Sequence, residues 1–178
     1  MKYLTRTPNA TGWPLFRLRE RIMIQLVKWS YPLYLQGFKR GRPAWQTKRE
    51  MLINYPTGSL GRHLGYFLLE NDLELIPKLE NHDIFHVVLE YHTHVVAESQ
   101  MQFCLIGNGK RSFYAIGTAA IATLVFPEYW SSFKQAYQRG KKLRPLHRWY
   151  FEYLLEEPLD EMKAFIAKAP SSYYKSLF

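Results

Sequence analysis

A single cysteine, Cys104, occurs in the whole chain. That excludes an intramolecular disulfide and any zinc site built on several cysteines, and leaves Cys104 to be read as a small buried hydrophobe. A membrane-spanning run is also missing. The longest uncharged stretch, residues 112–127, has 16 residues against the roughly 20 a bilayer requires, so it is expected to be a buried core helix. The N-terminus lacks the apolar segment of a secretory signal, which makes a cytoplasmic protein the simplest expectation. Residues 1–19 are basic and free of acids, faintly like an organelle transit peptide, but poor in serine. The Asn9-Ala10-Thr11 triplet is a glycosylation match with no secretory context to use it.

Other absences concern chemistry. There is no G-x-S-x-G nucleophile elbow. The stretch "CLIGNGKRS" is not a phosphate loop, because Cys104 replaces the first glycine and Arg111 follows Lys110. No internal repeat, low-complexity tract or strand-like alternation of useful length occurs. An all-α fold of about seven to nine helices in one domain is what remains. Residues 1–42 are expected to form a basic amphipathic N-terminal part, and residues 43–178 the core.

Acids are scarce in the first 50 residues, which hold eleven Lys/Arg and two Asp/Glu, whereas residues 51–178 hold thirteen of each. The whole net charge of +9 therefore sits at the N-terminal end, beside Trp13, Phe16, Trp29, Tyr31 and Trp45. Such a segment suits an anionic membrane surface or a nucleic-acid backbone. Residues 15–31 place Leu15, Leu18, Ile22, Leu26 and Trp29 on one helical stripe, with Arg17, Arg21 and Lys28 elsewhere on the helix and a stop expected near Pro32. A stripe of that kind either lies on a membrane or, more commonly, packs on the protein's own core.

Further along, a Gly/Pro-rich connection is expected at residues 37–43 and a helix around residues 45–53. Gly61 and Gly65 are four apart, so that another helix can approach closely. Pro127 suits the first turn of a helix over residues 128–138 that Arg139-Gly140 should close. Pro158 should open a last helix over residues 159–168.

Between residues 70 and 98 the charge inverts, with seven acids against Lys78 alone. This region contains "NHDIFHVVLEYHTHVVAESQ", four of the six histidines in 20 residues. With Asn81 as cap of a helix to about Leu89, His82 and His86 fall four apart on one face, the spacing that lets two imidazoles share a metal, and Asp83 can join them. Glu98 on one straight helix would lie about 18 Å beyond His86. A break near residues 90–93 would bring it opposite the histidines, but neither glycine nor proline announces one, and Thr93 as a new cap is the only local hint. His92 and His94 fit exposed turn residues. Two histidines with carboxylates favour zinc, ahead of iron or magnesium, over calcium.

The spacing H-D-x-x-H-x11-E, from His82 through Asp83 and His86 to Glu98, resembles the metal motif of the Coq-four family of coenzyme Q (ubiquinone) biosynthesis proteins. "GSLG" at residues 58–61 and "RGKKLRPLHRWYFEYLLEEPLDEMKAFI" at residues 139–166 are similar to further elements of that family, so the resemblance covers roughly residues 45–170. It implies a helical fold with an apolar groove and a divalent metal on His82, Asp83, His86 and Glu98. It also implies a break after Leu89, where related sequences carry Gly and Pro and this chain carries Glu90, Tyr91 and His92. The implied partners are a polyisoprenoid lipid or quinone precursor, a membrane surface (the matrix side of the inner mitochondrial membrane in a eukaryote) and other quinone-synthesising enzymes. The implied chemistry is metal-dependent oxidative decarboxylation at C1 of a prenylated hydroxybenzoate. Phe113, Ile116, Ile121 and Leu124 are the expected lipid-contacting residues, and Lys78, Arg62 or His63 could orient a substrate carboxylate. The aromatic surplus is compatible with a homodimer.

Three other readings compete. A non-catalytic lipid-binding scaffold would use the same cluster to fix a helix pair. A phosphohydrolase of the HD type would need His63 upstream and Asp160 downstream as further ligands. A nucleic-acid binder rests on the basic N-terminal segment alone, with neither a helix-turn-helix nor a zinc-finger signature, and no nucleic-acid partner is expected.

Overall fold

A computed structural model describes residues 14–38 and 43–168, and for residues 31–38 the backbone alone. Residues 1–13, with the Asn9 triplet, and 39–42 of the expected connection lie outside the described residues. Within those described, the chain is all α: α1 (Pro14–Phe38), α2 (Arg49–Leu52), α3 (Leu60–Glu70), α4 (Glu80–Leu89), α5 (Val95–Gly107), α6 (Phe113–Val125), α7 (Trp130–Lys142) and α8 (Leu159–Ala167). Short 3-10 turns occupy Pro127–Tyr129 and Phe151–Leu154, and Ser59 with Pro158 forms an isolated β-bridge.

Local chemistry sets the boundaries. Ser59 and Ser112 accept hydrogen bonds from the Arg62 and Ala115 amides at the starts of α3 and α6, satisfying amides that a helix start leaves without a partner. Pro127 stands in the first turn of its 3-10 segment, and Pro158 precedes α8 as expected. The 45–53 helix shrinks to α2, and the Trp45 amide donates to Glu80 Oε1 at 2.9 Å.

α5 is the central helix. Its buried Met101, Cys104 and Leu105 join a core with Leu60, Leu64, Leu68 of α3, Ile84, Val88, Leu89 of α4 and Met162, Ile166 of α8. A second cluster joins Phe16 and Met23 of α1 to Val95, Val96, Ala122, Phe126 and Phe133. Glycines let backbones meet. A Cβ on Gly61 or Gly65 would press on Leu155, Tyr55 and the end of α2, and one on Gly140 would overlap the Cys104 carbonyl. Gly140 therefore sits inside α7, which runs on to Lys142 rather than closing at that glycine.

Three other expectations change. α1 continues through Pro32 to Phe38, since a proline removes one backbone hydrogen bond and the helix can resume after it. Its stripe of Leu15, Leu18, Ile22, Leu26 and Trp29 faces outward, Trp29 being 73% exposed, while Phe16 and Met23 face the core. α6 is not a buried core helix either. Only Ala115, Ala119 and Ala122 are buried, whereas Phe113 and Leu124 are 79% and 82% exposed and Ile116 and Ile121 are exposed beside them. Small residues on its inner face allow close packing, and every large side chain of the apolar set is turned outward.

Candidate metal centre

The break that the site requires is present. α4 ends at Leu89, and Glu90 adopts the left-handed conformation at φ 58°, ψ 42°, which costs a non-glycine residue about 1 kcal/mol. Neighbours hold the turn. Lys163 Nζ of α8 donates to Glu90 Oε1 at 2.6 Å, Arg139 of α7 donates to the Leu89 carbonyl at 2.8 Å, and the Arg139 guanidinium lies over the Tyr91 ring. The chain doubles back and α5 begins at Val95. Its cap is His94 rather than Thr93, with His94 Nδ1 accepting from the Ala97 amide at 3.2 Å.

α4 begins two residues earlier than expected, with Leu79 rather than Asn81 at the cap position. Glu80 Oε1 takes the Lys78 and Trp45 amides, which anchors the first turn, so Asn81 lies inside the helix and donates to the Trp149 carbonyl.

This doubling-back places Glu98, in the first turn of α5, against the histidine face of α4. His86 Nε2 is 3.0 Å from Glu98 Oε1 and 3.3 Å from His82 Nε2, and His82 Nε2 is 3.5 Å from Glu98 Oε2. Two imidazole nitrogens and one carboxylate oxygen thus fall within 4.8 Å of one another, a grouping that could hold a metal ion.

The remaining contacts fix how the donors point. His86 Nδ1 is 2.8 Å from the Tyr91 carbonyl, which can only accept, so the Nδ1 proton is committed there and Nε2 of the neutral ring presents a lone pair to Glu98. The Phe67 ring of α3 stacks on His86 at 5.3 Å and 17°. Glu98 Oε1 is buried and has no hydrogen bond in acceptable geometry. A lone pair facing a carboxylate is relieved either by protonating the ring or by a cation between them.

The protonation energetics agree. Burial opposes the charged form of both Glu98 and His86. In each case the attraction between them prevails: the Glu98 carboxyl is held at about 2, and the His86 imidazole is raised. For His82, burial dominates and its pKa falls, assisted by the charges of His86 and Lys110 against that of Glu98.

Asp83 is buried one residue further along α4 and stands outside the triplet, with its charge acting on His86. His92 is exposed and stacks on His94 at 6.0 Å, and neither belongs to the group. Arg62 hydrogen-bonds Thr57 and Tyr66 on the outer side of α3. His63 and Asp160 are exposed and outside the triplet, so the further ligands of an HD phosphohydrolase are not brought to it.

No family model and no curated protein sequence matches the chain. Among solved structures it is similar to the crystal structure of a "Putative ubiquinone biosynthesis protein" from Nostoc punctiforme PCC 73102. The TM-score is 0.57 at 16% identity, over 86% of this chain and 81% of that one. At that identity the likeness establishes a shared helical fold.

Proposed function

We propose that this protein is a quinone-biosynthesis protein of the Coq-four type. It binds a divalent metal through His82, His86 and Glu98 and acts on a prenylated hydroxybenzoate by metal-dependent oxidative decarboxylation at ring C1. The observation that carries the reading is the convergence of His82 Nε2, His86 Nε2 and a Glu98 oxygen that is buried without a hydrogen bond. The shared fold with the Nostoc protein points the same way.

The donor set fits a borderline cation. Two imidazoles and one carboxylate suit zinc, and they are also the ligand set of non-haem ferrous oxygenases. Three protein ligands leave a coordination position for substrate, which favours catalysis over a purely structural ion. A divalent ion held by His82, His86 and Glu98 would stabilise, as a Lewis acid, the charge that develops as carbon dioxide leaves. The oxidative step would take iron rather than redox-inert zinc, with dioxygen supplying the oxygen that replaces the carboxyl at C1 and a two-electron reductant carrying its other oxygen to water.

The protein's own groups do the rest. The Tyr91 carbonyl and the Phe67 ring orient His86, and the first turn of α5 favours the Glu98 carboxylate through its helix dipole. Asp83 sets a buried negative charge beside His86.

The outward apolar stripes of α1 and α6 support a peripheral position on a lipid surface, with Arg21 and Lys28 of α1 available to anionic headgroups. Phe113, Ile116, Ile121 and Leu124 are then the polyisoprenoid-contacting residues. The same stripes favour the second reading, a non-catalytic lipid-binding scaffold for quinone-synthesising enzymes. Release of labelled carbon dioxide from a carboxyl-labelled prenylated hydroxybenzoate separates the two. Release by wild type that is lost in Glu98→Ala supports the enzyme; none from metal-loaded wild type supports the scaffold.

A further inference from the structure

α5 carries a second polar residue on the face that holds Glu98. Gln102 lies four residues further along the same helix, which sets the two Cβ atoms about 5–6 Å apart on one side. A long helical side chain leans back toward the N-terminus of its helix. The Gln102 carboxamide is therefore carried toward the Glu98 carboxylate.

That carboxamide is enclosed. Gln102 is 4% exposed, and its Oε1 is buried without a hydrogen bond. Its neighbours Met101 and Leu105 are fully buried members of the apolar core. A buried amide oxygen in such surroundings ordinarily finds a donor, and lacking one lowers stability. Asn108, which caps the end of the same helix, shows the ordinary case. Its buried side chain donates to the carbonyls of Gly140, Leu143 and Arg144 and accepts from the Leu146 amide. One buried carboxamide of α5 is thus fully used in holding the fold together, and the other is not.

The level of Gln102 along the helix pair is also informative. The His86 side chain is fully covered, whereas 26% of the His82 side chain is exposed, so a molecule reaches the triplet past His82. His82 is one turn farther from the break between α4 and α5 than His86, and Gln102 is one turn farther from it than Glu98. Because the chain doubles back at that break, Gln102 stands on the His82 side of Glu98.

We infer that Gln102 is a ligand-binding residue of this site, its Oε1 accepting a hydrogen bond from a hydroxyl of the molecule that enters past His82. The site then selects a phenol over the corresponding ether, which has no proton to donate. The inference rests on the proposed metal site and adds a residue outside its H-D-x-x-H-x11-E spacing. An ion on the triplet satisfies Glu98, and a ligand hydroxyl satisfies the acceptor one turn beyond it.

The test compares wild type, Gln102→Met and Gln102→Leu as full-length untagged proteins. Each is measured for metal content, for urea midpoint in the metal-free form, and for affinity toward 3-prenyl-4-hydroxybenzoate and 3-prenyl-4-methoxybenzoate. Wild type should prefer the hydroxy compound by about tenfold, the effect of one buried hydrogen bond. Both variants should bind the hydroxy compound about tenfold more weakly and the methoxy compound as wild type does. Their metal content should match wild type. Their metal-free urea midpoints should not fall, because an unbonded amide gives way to an apolar group of similar size. Lower midpoints in both variants would show that the carboxamide is bonded within the protein, and loss of metal in both would make it a ligand of the ion. Either result overturns the inference, as do equal hydroxy affinities in wild type and variants or a parallel loss of both compounds. A wild type without metal defeats the metal reading separately, because the midpoints and the contrast between hydroxy and methoxy compounds still decide the role of Gln102.

Discussion

Glu90 occupies a left-handed turn that a glycine would adopt without strain, and the turn is what lets Glu98 meet the histidines. Glu90→Gly should therefore stabilise the protein by about 0.5 kcal/mol in urea unfolding, the relief of strain exceeding the loss of the exposed Lys163 pair, with metal content unchanged. The residue also explains why the site was only half legible. His82 and His86 could be read from their four-residue spacing. The partnership with Glu98 depends on a turn whose usual signal, glycine, is absent and whose work is done by Lys163 and Arg139 from distant helices.

Protonation adds a second prediction at this scale. Glu98 has its pKa held at about 2, below the ordinary 4.5, so it stabilises the fold above the ordinary value, and that contribution is lost as pH falls from about 4.5 toward about 2. His86, raised by its neighbours, contributes in the opposite sense, fully below its ordinary pKa and lost as pH rises through the raised one. Metal-free wild type should thus lose stability between pH 5 and pH 3 more steeply than Glu98→Gln, measured as urea midpoints. Parallel curves for the two proteins would contradict the ion pair.

At the scale of elements, hydropathy period finds helices but does not say which face is covered. α1 carries two apolar faces, Phe16 and Met23 toward the core and Leu15 to Trp29 toward solvent, and the outer one gives the stronger stripe in the sequence. Residues 113–125 read as core for their hydrophobicity, yet their alanines are what α6 buries. The contact between α5 and α7 was equally hidden, since Gly140 looks like a helix end and is in fact a point of backbone contact. Gly140→Ala should cost about 2–3 kcal/mol by overpacking, visible as a lowered melting temperature. A double substitution on the outer stripe, Leu18→Ser with Leu26→Ser, should change stability by less than about 0.5 kcal/mol while sharply reducing co-flotation with anionic liposomes. If flotation is unaffected, α1 is not the lipid-facing element.

For the whole molecule, the all-α class followed from the absence of strand alternation. The arrangement of the helices is shared with the Nostoc protein despite 16% identity. No described helix is long and apolar enough to cross a membrane, and the positive charge is concentrated in residues 1–50. Association with anionic vesicles should therefore weaken as salt rises from 50 to 500 mM, as screening shortens the reach of those charges, while a residual apolar contribution persists.

Elemental analysis of untagged wild type beside Glu98→Ala and His86→Ala decides whether His82, His86 and Glu98 hold an ion. About one equivalent of zinc or iron is expected in wild type, with a strong loss in both variants and helical content by circular dichroism unchanged in all three. An equal metal content in wild type and variants, or metal-free wild type that takes up neither zinc nor ferrous iron on titration, would contradict the site.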